Sequence, residues 1–158
     1  MDAVRDVDQA QIIRLLEWNR SVVLRKLEGL SVEQATAIRT PTGLTLIGVV
    51  RHLTWCERGW FEHFFLGQQD DGVDSDESFA ADLVSSVDDV RADYSAAVER
   101  SREIVDDASS LEATSQIPHD YFGFVTLRWI VLHMTTETAR HAGHLDILRE
   151  LTDGATGY

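Results

Sequence analysis

At 158 residues the chain suits one domain and is long enough to bury a core. Hydrophobic residues make up 44% and charged residues 26%, the balance of a globular chain rather than a disordered one. Its net charge is −13, from 27 acidic against 14 basic residues with no local Lys/Arg cluster, which repels phosphate backbones and anionic membranes and argues against nucleic-acid binding.

The N-terminal stretch "MDAVRDVDQAQ" has neither the basic start nor the apolar run of a signal peptide. The first helix is predicted over 8–27. Asp8 and Gln11 have the spacing of a capping box, Ile12, Leu15, Leu16, Val22, Val23 and Leu27 supply an apolar stripe, and Gly29 stops it. The second helix is predicted over 45–66, with Gly67 as its stop. It is apolar nearly all round, which indicates deep burial. It also carries Cys56, the single cysteine, so no internal disulfide can form. The third helix is predicted over 86–107, with a narrower stripe of Val87, Val90, Tyr94, Ala97 and Val98. The fourth is predicted over 126–151, ending before Gly154. No strand-like alternation occurs, and no apolar run reaches the roughly 18 residues of a membrane span. A cytoplasmic protein is expected.

Four amphipathic helices bury four stripes most simply as an all-α four-helix bundle, one domain over 1–158. The connections at 30–44, 68–85 and 108–125 exceed tight bundle turns. The acidic stretch "GQQDDGVDSDESFAAD", polar and flexible in composition, is the candidate for a crossover along the bundle.

The fourth helix poses a chemical question. Leu127, Ile130, Met134, Glu137, His141, Leu145 and Leu148 recur at intervals of three or four and form its core stripe. A carboxylate in an apolar core costs several kcal/mol, so Glu137 needs compensation. A divalent metal held by Glu137 and His141 at i, i+4 supplies it. So does a Glu–His hydrogen bond, or escape of the carboxylate to solvent at the bundle end. On the second helix His52 falls in the interior pattern with Ile47, Val49, Trp55 and Cys56. Bundles build metal sites from facing helices. His52 lies roughly 10 Å into its helix and His141 roughly 15 Å from the end of its own, levels that match if the two helices run antiparallel.

Other donors compete: the ladder His133, Glu137, His141; the pair His141 and His144; and Cys56, one turn after His52. His63 is three turns from His52, too far for the same ion, and His119 falls on a loop. Arg140 can pair with a ligand carboxylate or with Asp146. Trp55, Trp60 and Phe61 have the spacing of core residues, or of a pocket wall. The aromatics Trp60, Phe61, Phe64 and Phe65 exceed what one bundle stripe needs, and a homodimer would bury the remainder.

"WNRSVVLRKLEGLS", "TPTGLTLIGVVRHLTWCERGWFEHFFLG" and "HMTTETARHAGHLDILRE" together resemble the DinB/YfiT-like superfamily, especially its actinobacterial branch. The resemblance spans most of the chain, in order and at suitable spacing. It implies a four-helix bundle with a long crossover between the second and third helices. It also implies a metal site of His52, Glu137 and His141, with Glu137 as in the mycothiol-dependent maleylpyruvate isomerase branch where many relatives have His. His144, Cys56 and Arg140 are then pocket or supporting residues.

What the resemblance implies chemically is a metal-dependent S-transferase, with zinc first and nickel second as the ion and mycothiol as cosubstrate. The ion lowers the thiol's pKa, and the thiolate attacks an electrophile. A metal-assisted hydrolase and a non-catalytic, stress-related metal-binding bundle are the alternatives.

Overall fold

In a computed structural model, residues 2–82 and 84–157 are described, with side chains from Val7 onward. The elements are α1 (Asp2–Arg25), a short α2 (Val32–Thr36), α3 (Leu46–Glu57) continuing into a π-helical segment (Arg58–Phe65), a 3-10 turn (Glu77–Phe79), α4 (Val87–Asp107) and α5 (Leu127–Asp153). No strand occurs among the described residues, and none of their helices is long and apolar enough to cross a membrane.

Hydroxyl side chains start three of the long or deep helices. Thr45 Oγ1 accepts from Gly48 N at 2.9 Å, Ser86 Oγ from Asp89 N at 3.1 Å and Thr126 Oγ1 from Trp129 N at 3.2 Å. Each such cap is worth about 1 kcal/mol. Gly154, at φ 77°, adopts the left-handed conformation that ends α5. The first helix departs from expectation. It begins at Asp2, so Asp8 lies inside it and no Asp8–Gln11 box starts it. Nothing in residues 2–7 breaks a helix, and a capping pattern alone does not stop one that can extend. Leu15 of the expected stripe is 54% exposed, whereas Leu16, Val22, Val23 and Leu27 are buried.

Cross-helix contacts fix the directions. Trp60 meets Trp129 and His52 meets His141, so α3 and α5 are antiparallel. Asn19 Nδ2 donates to Thr135 O and Lys26 pairs with Asp146, so α1 and α5 are parallel. Between helices, segment 66–82 returns along α3: Val73 O accepts from Trp55 Nε1, Ser78 meets His52 and Ala80 O accepts from Arg51. It thus delivers α4 parallel to α3, with Arg58 paired to Asp93 at 2.5 Å. The bundle is up-down-down-up, with the expected crossover between its second and third long helices.

Two apolar clusters fill the interior. One includes Val23, Leu27, Ile47, Leu53, Tyr94, Leu145 and Leu148; the other includes Leu16, Phe61, Ile104, Leu127, Ile130 and Met134. Along every long helix a polar residue separates the two: Arg20, His52, Ser101, Glu137, Thr138 and His141. This polar layer holds the candidate site.

Trp60, Phe61 and Phe65 are buried and Phe64 half-buried. Residues 108–126 cover them. Gln116 N donates to Phe64 O at 2.9 Å, and His119 stacks on Trp60 at 5.1 Å. The aromatic surplus that suggested a homodimer is therefore covered within the chain.

Candidate metal centre

The π-helical continuation of α3 turns Trp60, Phe61 and Phe65 into the second apolar cluster, while the regular α-turns before it set His52 and Cys56 on the side facing α5. On α5, Glu137 and His141 occupy two steps of the core stripe, as the sequence predicts. His141 is buried and Glu137 nearly so.

These side chains converge on one oxygen. Glu137 Oε1 lies 3.0 Å from His141 Nε2, 3.5 Å from His52 Nε2 and 2.8 Å from an Arg140 guanidinium nitrogen. Cys56 Sγ lies 3.4 Å from His52 Nε2. Among the described residues, His52, Cys56 and Glu137 form the group of metal-type donors that all lie within 4.8 Å of one another. His141 joins it through Glu137.

The hydrogen bonds around the site orient the imidazoles. Ser78 Oγ donates to Ser75 O at 2.5 Å, so at 2.7 Å it accepts from His52 Nδ1–H. That network assigns the tautomer and leaves the Nε2 lone pair of His52 facing the Glu137 carboxylate. Phe79 stacks on the His52 ring at 4.0 Å and 12°. On α5, His141 Nδ1 lies 3.3 Å from His144 Nδ1, which braces the ring from outside while His141 Nε2 points inward at Glu137.

The electrostatics favour a cation. The hydrogen bond from His141 above all holds the Glu137 carboxyl well below the usual carboxylate range despite its burial. Burial first, then the Glu137 and Glu57 carboxylates, pushes the Cys56 thiol far up. Burial and then the neighbouring His141 and Arg140 push His144 below an ordinary histidine. An imidazole lone pair, a nearly buried carboxylate and a thiol thus face one another within the reach of a single divalent ion. Nitrogen, oxygen and sulfur donors suit a borderline-soft divalent ion such as zinc, so the residues fit the group.

The remaining donors are elsewhere. His133 stacks on Trp129 at 5.0 Å and lies 4.6 Å from Trp60. His63 Nδ1 bonds Gln68 O at 2.7 Å, and His119 sits on the loop against Trp60. Arg140 does not pair with Asp146, whose ion-pair partner is Lys26 of α1; at i, i+3 it reaches Glu137 instead. Trp55 borders the site, with its ring 5.7 Å from His52, whereas Trp60 and Phe61 belong to the core.

Sequence reasoning missed two sets of residues. Ser78 and Phe79 come from the stretch read as polar and flexible, although "SFAADLV" carries an apolar pattern that marks it for packing. The second set is a buried ion pair. Arg20 donates from Nε and a terminal nitrogen to both Glu57 oxygens at 2.8 and 2.5 Å, with Glu57 0% exposed. Arg20 falls on the first helix's stripe between Leu16 and Val23, which is the available signal. Glu17 binds Arg20 at 2.6 Å and also pairs with Arg102, extending the chain to the surface.

Residues 11–154 match the family model described as mycothiol-S-transferase. No curated protein matches the chain. Among solved structures it is similar to a conserved protein of Enterococcus faecalis, at 15% identity and a TM-score of 0.67 over 92% of this chain and 97% of that one. At that identity the likeness shows the fold alone.

Proposed function

Because the chain belongs to the mycothiol-S-transferase family, we propose that it transfers a low-molecular-weight thiol of the mycothiol type to an electrophile, using a divalent ion held by His52, Glu137 and His141. Zinc is the first choice and nickel the second. The observation that carries this reading is the convergence of two imidazole Nε2 atoms on one nearly buried carboxylate oxygen, at 3.0 and 3.5 Å.

When bound, the ion lowers the pKa of a thiol that approaches it, so that thiolate is available near neutral pH. The protein's own groups do the rest. Ser78 holds the His52 ring by its Nδ1 proton, and Phe79 fixes the ring plane. His144 braces the Nδ1 side of His141. Two neutral imidazoles and one carboxylate leave a divalent ion with net charge near +1, which favours an anion beside it. Arg140, 62% exposed on its side chain, marks the open edge of the site and adds positive charge there. The crossover covers the other edge and keeps water from the His52 ring. No protein nucleophile is required.

In this reading the protein is an enzyme of the cytoplasm, and one domain over residues 1–158 supplies every group named. Its partners are the thiol and the electrophile. The test is to mix metal-loaded protein with mycothiol and a halogenated bimane. S-conjugation above the uncatalysed rate, abolished by His141→Ala, is expected. If mycothiol neither reacts nor changes the spectrum of cobalt-substituted protein, the transferase reading fails. A hydrolase or a non-catalytic metal bundle would remain.

A further inference from the structure

Cys56 sits one turn after His52 on α3, buried, with its Sγ 3.4 Å from His52 Nε2. Packing alone does not require this. A thiol that merely fills core space has no need to face the one nitrogen whose lone pair is left free by Ser78. Here Sγ, a His52 nitrogen and a Glu137 oxygen lie mutually within 4.8 Å. The three come from two facing helices whose backbones are fixed by both apolar clusters.

We propose that Cys56 Sγ is a fourth protein ligand of the ion and holds, in the resting protein, the position that the cosubstrate thiol takes during turnover. The inference rests on the metal reading above and adds a residue and a function to it. Four protein donors, two imidazoles, a carboxylate and a thiolate, close the site in the manner of a structural zinc site. When the ion binds, the Cys56 S–H bond breaks and the proton leaves to the buffer. When a thiol enters, its own S–H bond breaks and its proton goes to Cys56, re-forming that S–H bond as the new thiolate takes its place. Charge and protons balance without a further base. The exchange also selects a reactant: a thiol replaces a thiolate on equal terms, whereas water must displace a softer and better ligand. Cys56 thus favours thiol transfer over hydrolysis at residues that would otherwise serve either.

The experiment uses full-length protein loaded with cobalt, with no added thiol, as wild type and Cys56→Ser. The expected wild-type spectrum has visible d–d bands and a near-ultraviolet sulfur-to-cobalt charge-transfer band. Cys56→Ser keeps the d–d bands and loses the charge-transfer band. Wild-type d–d bands without charge transfer, or a charge-transfer band unchanged in Cys56→Ser, overturn the proposal while leaving the metal reading intact. An absence of d–d bands in wild type sinks both. If Cys56→Ser does not fold, zinc-edge X-ray absorption of the wild-type protein decides: a sulfur neighbour at thiolate distance supports Cys56, and a shell of nitrogen and oxygen alone overturns it.

Discussion

The Nδ1 atom of His52 lies 2.7 Å from the Oγ atom of Ser78, which joins a donor on α3 to the crossover that leaves it and returns. The bond does two jobs: it sets the imidazole tautomer, and it pins the strap over the site. Ser78→Ala removes the acceptor without changing shape greatly. Supporting groups of this kind contribute about 10–100-fold to metal affinity. The expected result is a loss in that range by competitive chelator titration, with little change in helical content. Unchanged affinity would show that Ser78 does not orient the ligand.

Gly48 controls the same strap from beneath. A Cβ at this position would run into the Phe79 carbonyl oxygen and crowd Thr45 Oγ1, the cap of its own helix. Gly48→Ala therefore has to push the strap outward or disturb the cap. Overpacking of this sort costs about 1–3 kcal/mol. Urea denaturation should show a loss of that size, and Phe79 should leave the His52 ring. A neutral or stabilising substitution would mean that the crossover yields freely.

On the opposite side of the polar layer, the Arg20–Glu57 pair is shielded from solvent and bonded at two points. Arg20→Met leaves Glu57 buried and uncompensated, and such losses run to about 3–5 kcal/mol. Replacing both, as Arg20→Met with Glu57→Leu, should be less destabilising than Arg20→Met alone, because no charge is stranded. Chemical denaturation of the two single variants and the double variant measures the coupling. Additive losses would show that the pair does not act as a unit.

Glu17 extends this pair to the surface. Burial alone would raise its carboxyl, but hydrogen bonds and charge from Arg102 and Arg20 outweigh burial, and the carboxyl is held below its ordinary value. A depressed folded-state pKa gives stability that is present above the unfolded value of about 4.3 and lost as pH falls through the folded value. Glu17→Gln should thus be less stable than wild type at pH near 7, and the gap should narrow as the medium becomes strongly acidic. A gap independent of pH would remove charge from the explanation.

Particular residues show why parts of the molecule could be read in advance. Glu137 and His141 are legible because α5 is a regular helix, so the 3.6-residue period carries their inward direction faithfully. His52 is legible for the same reason, since it precedes the π-helical segment. The switch at Arg58 is not, because widening a helical turn is decided by where Trp60, Phe61 and Phe65 find space against α5 and residues 108–126. Ser78 is hidden in a segment with no period, and its role follows only from the crossover's return past His52. Arg20 and Glu57 lie on core faces in sequence, but their pairing across 37 positions requires the folded bundle. The start of α1 is not legible in the Asp8–Gln11 spacing, because a capping pattern does not end a helix that nothing in residues 2–7 breaks.

The claim on which the account turns is that His52, Glu137 and His141 hold a divalent ion. Elemental analysis of purified, zinc-loaded protein tests it most directly, in wild type, His52→Ala, His141→Ala and His63→Ala. The account predicts an equimolar ion in wild type and in His63→Ala, whose ring is bonded to Gln68 away from the site, and loss of the ion in the other two variants. Full metal content in His52→Ala or His141→Ala, or none in the loaded wild type, would contradict it.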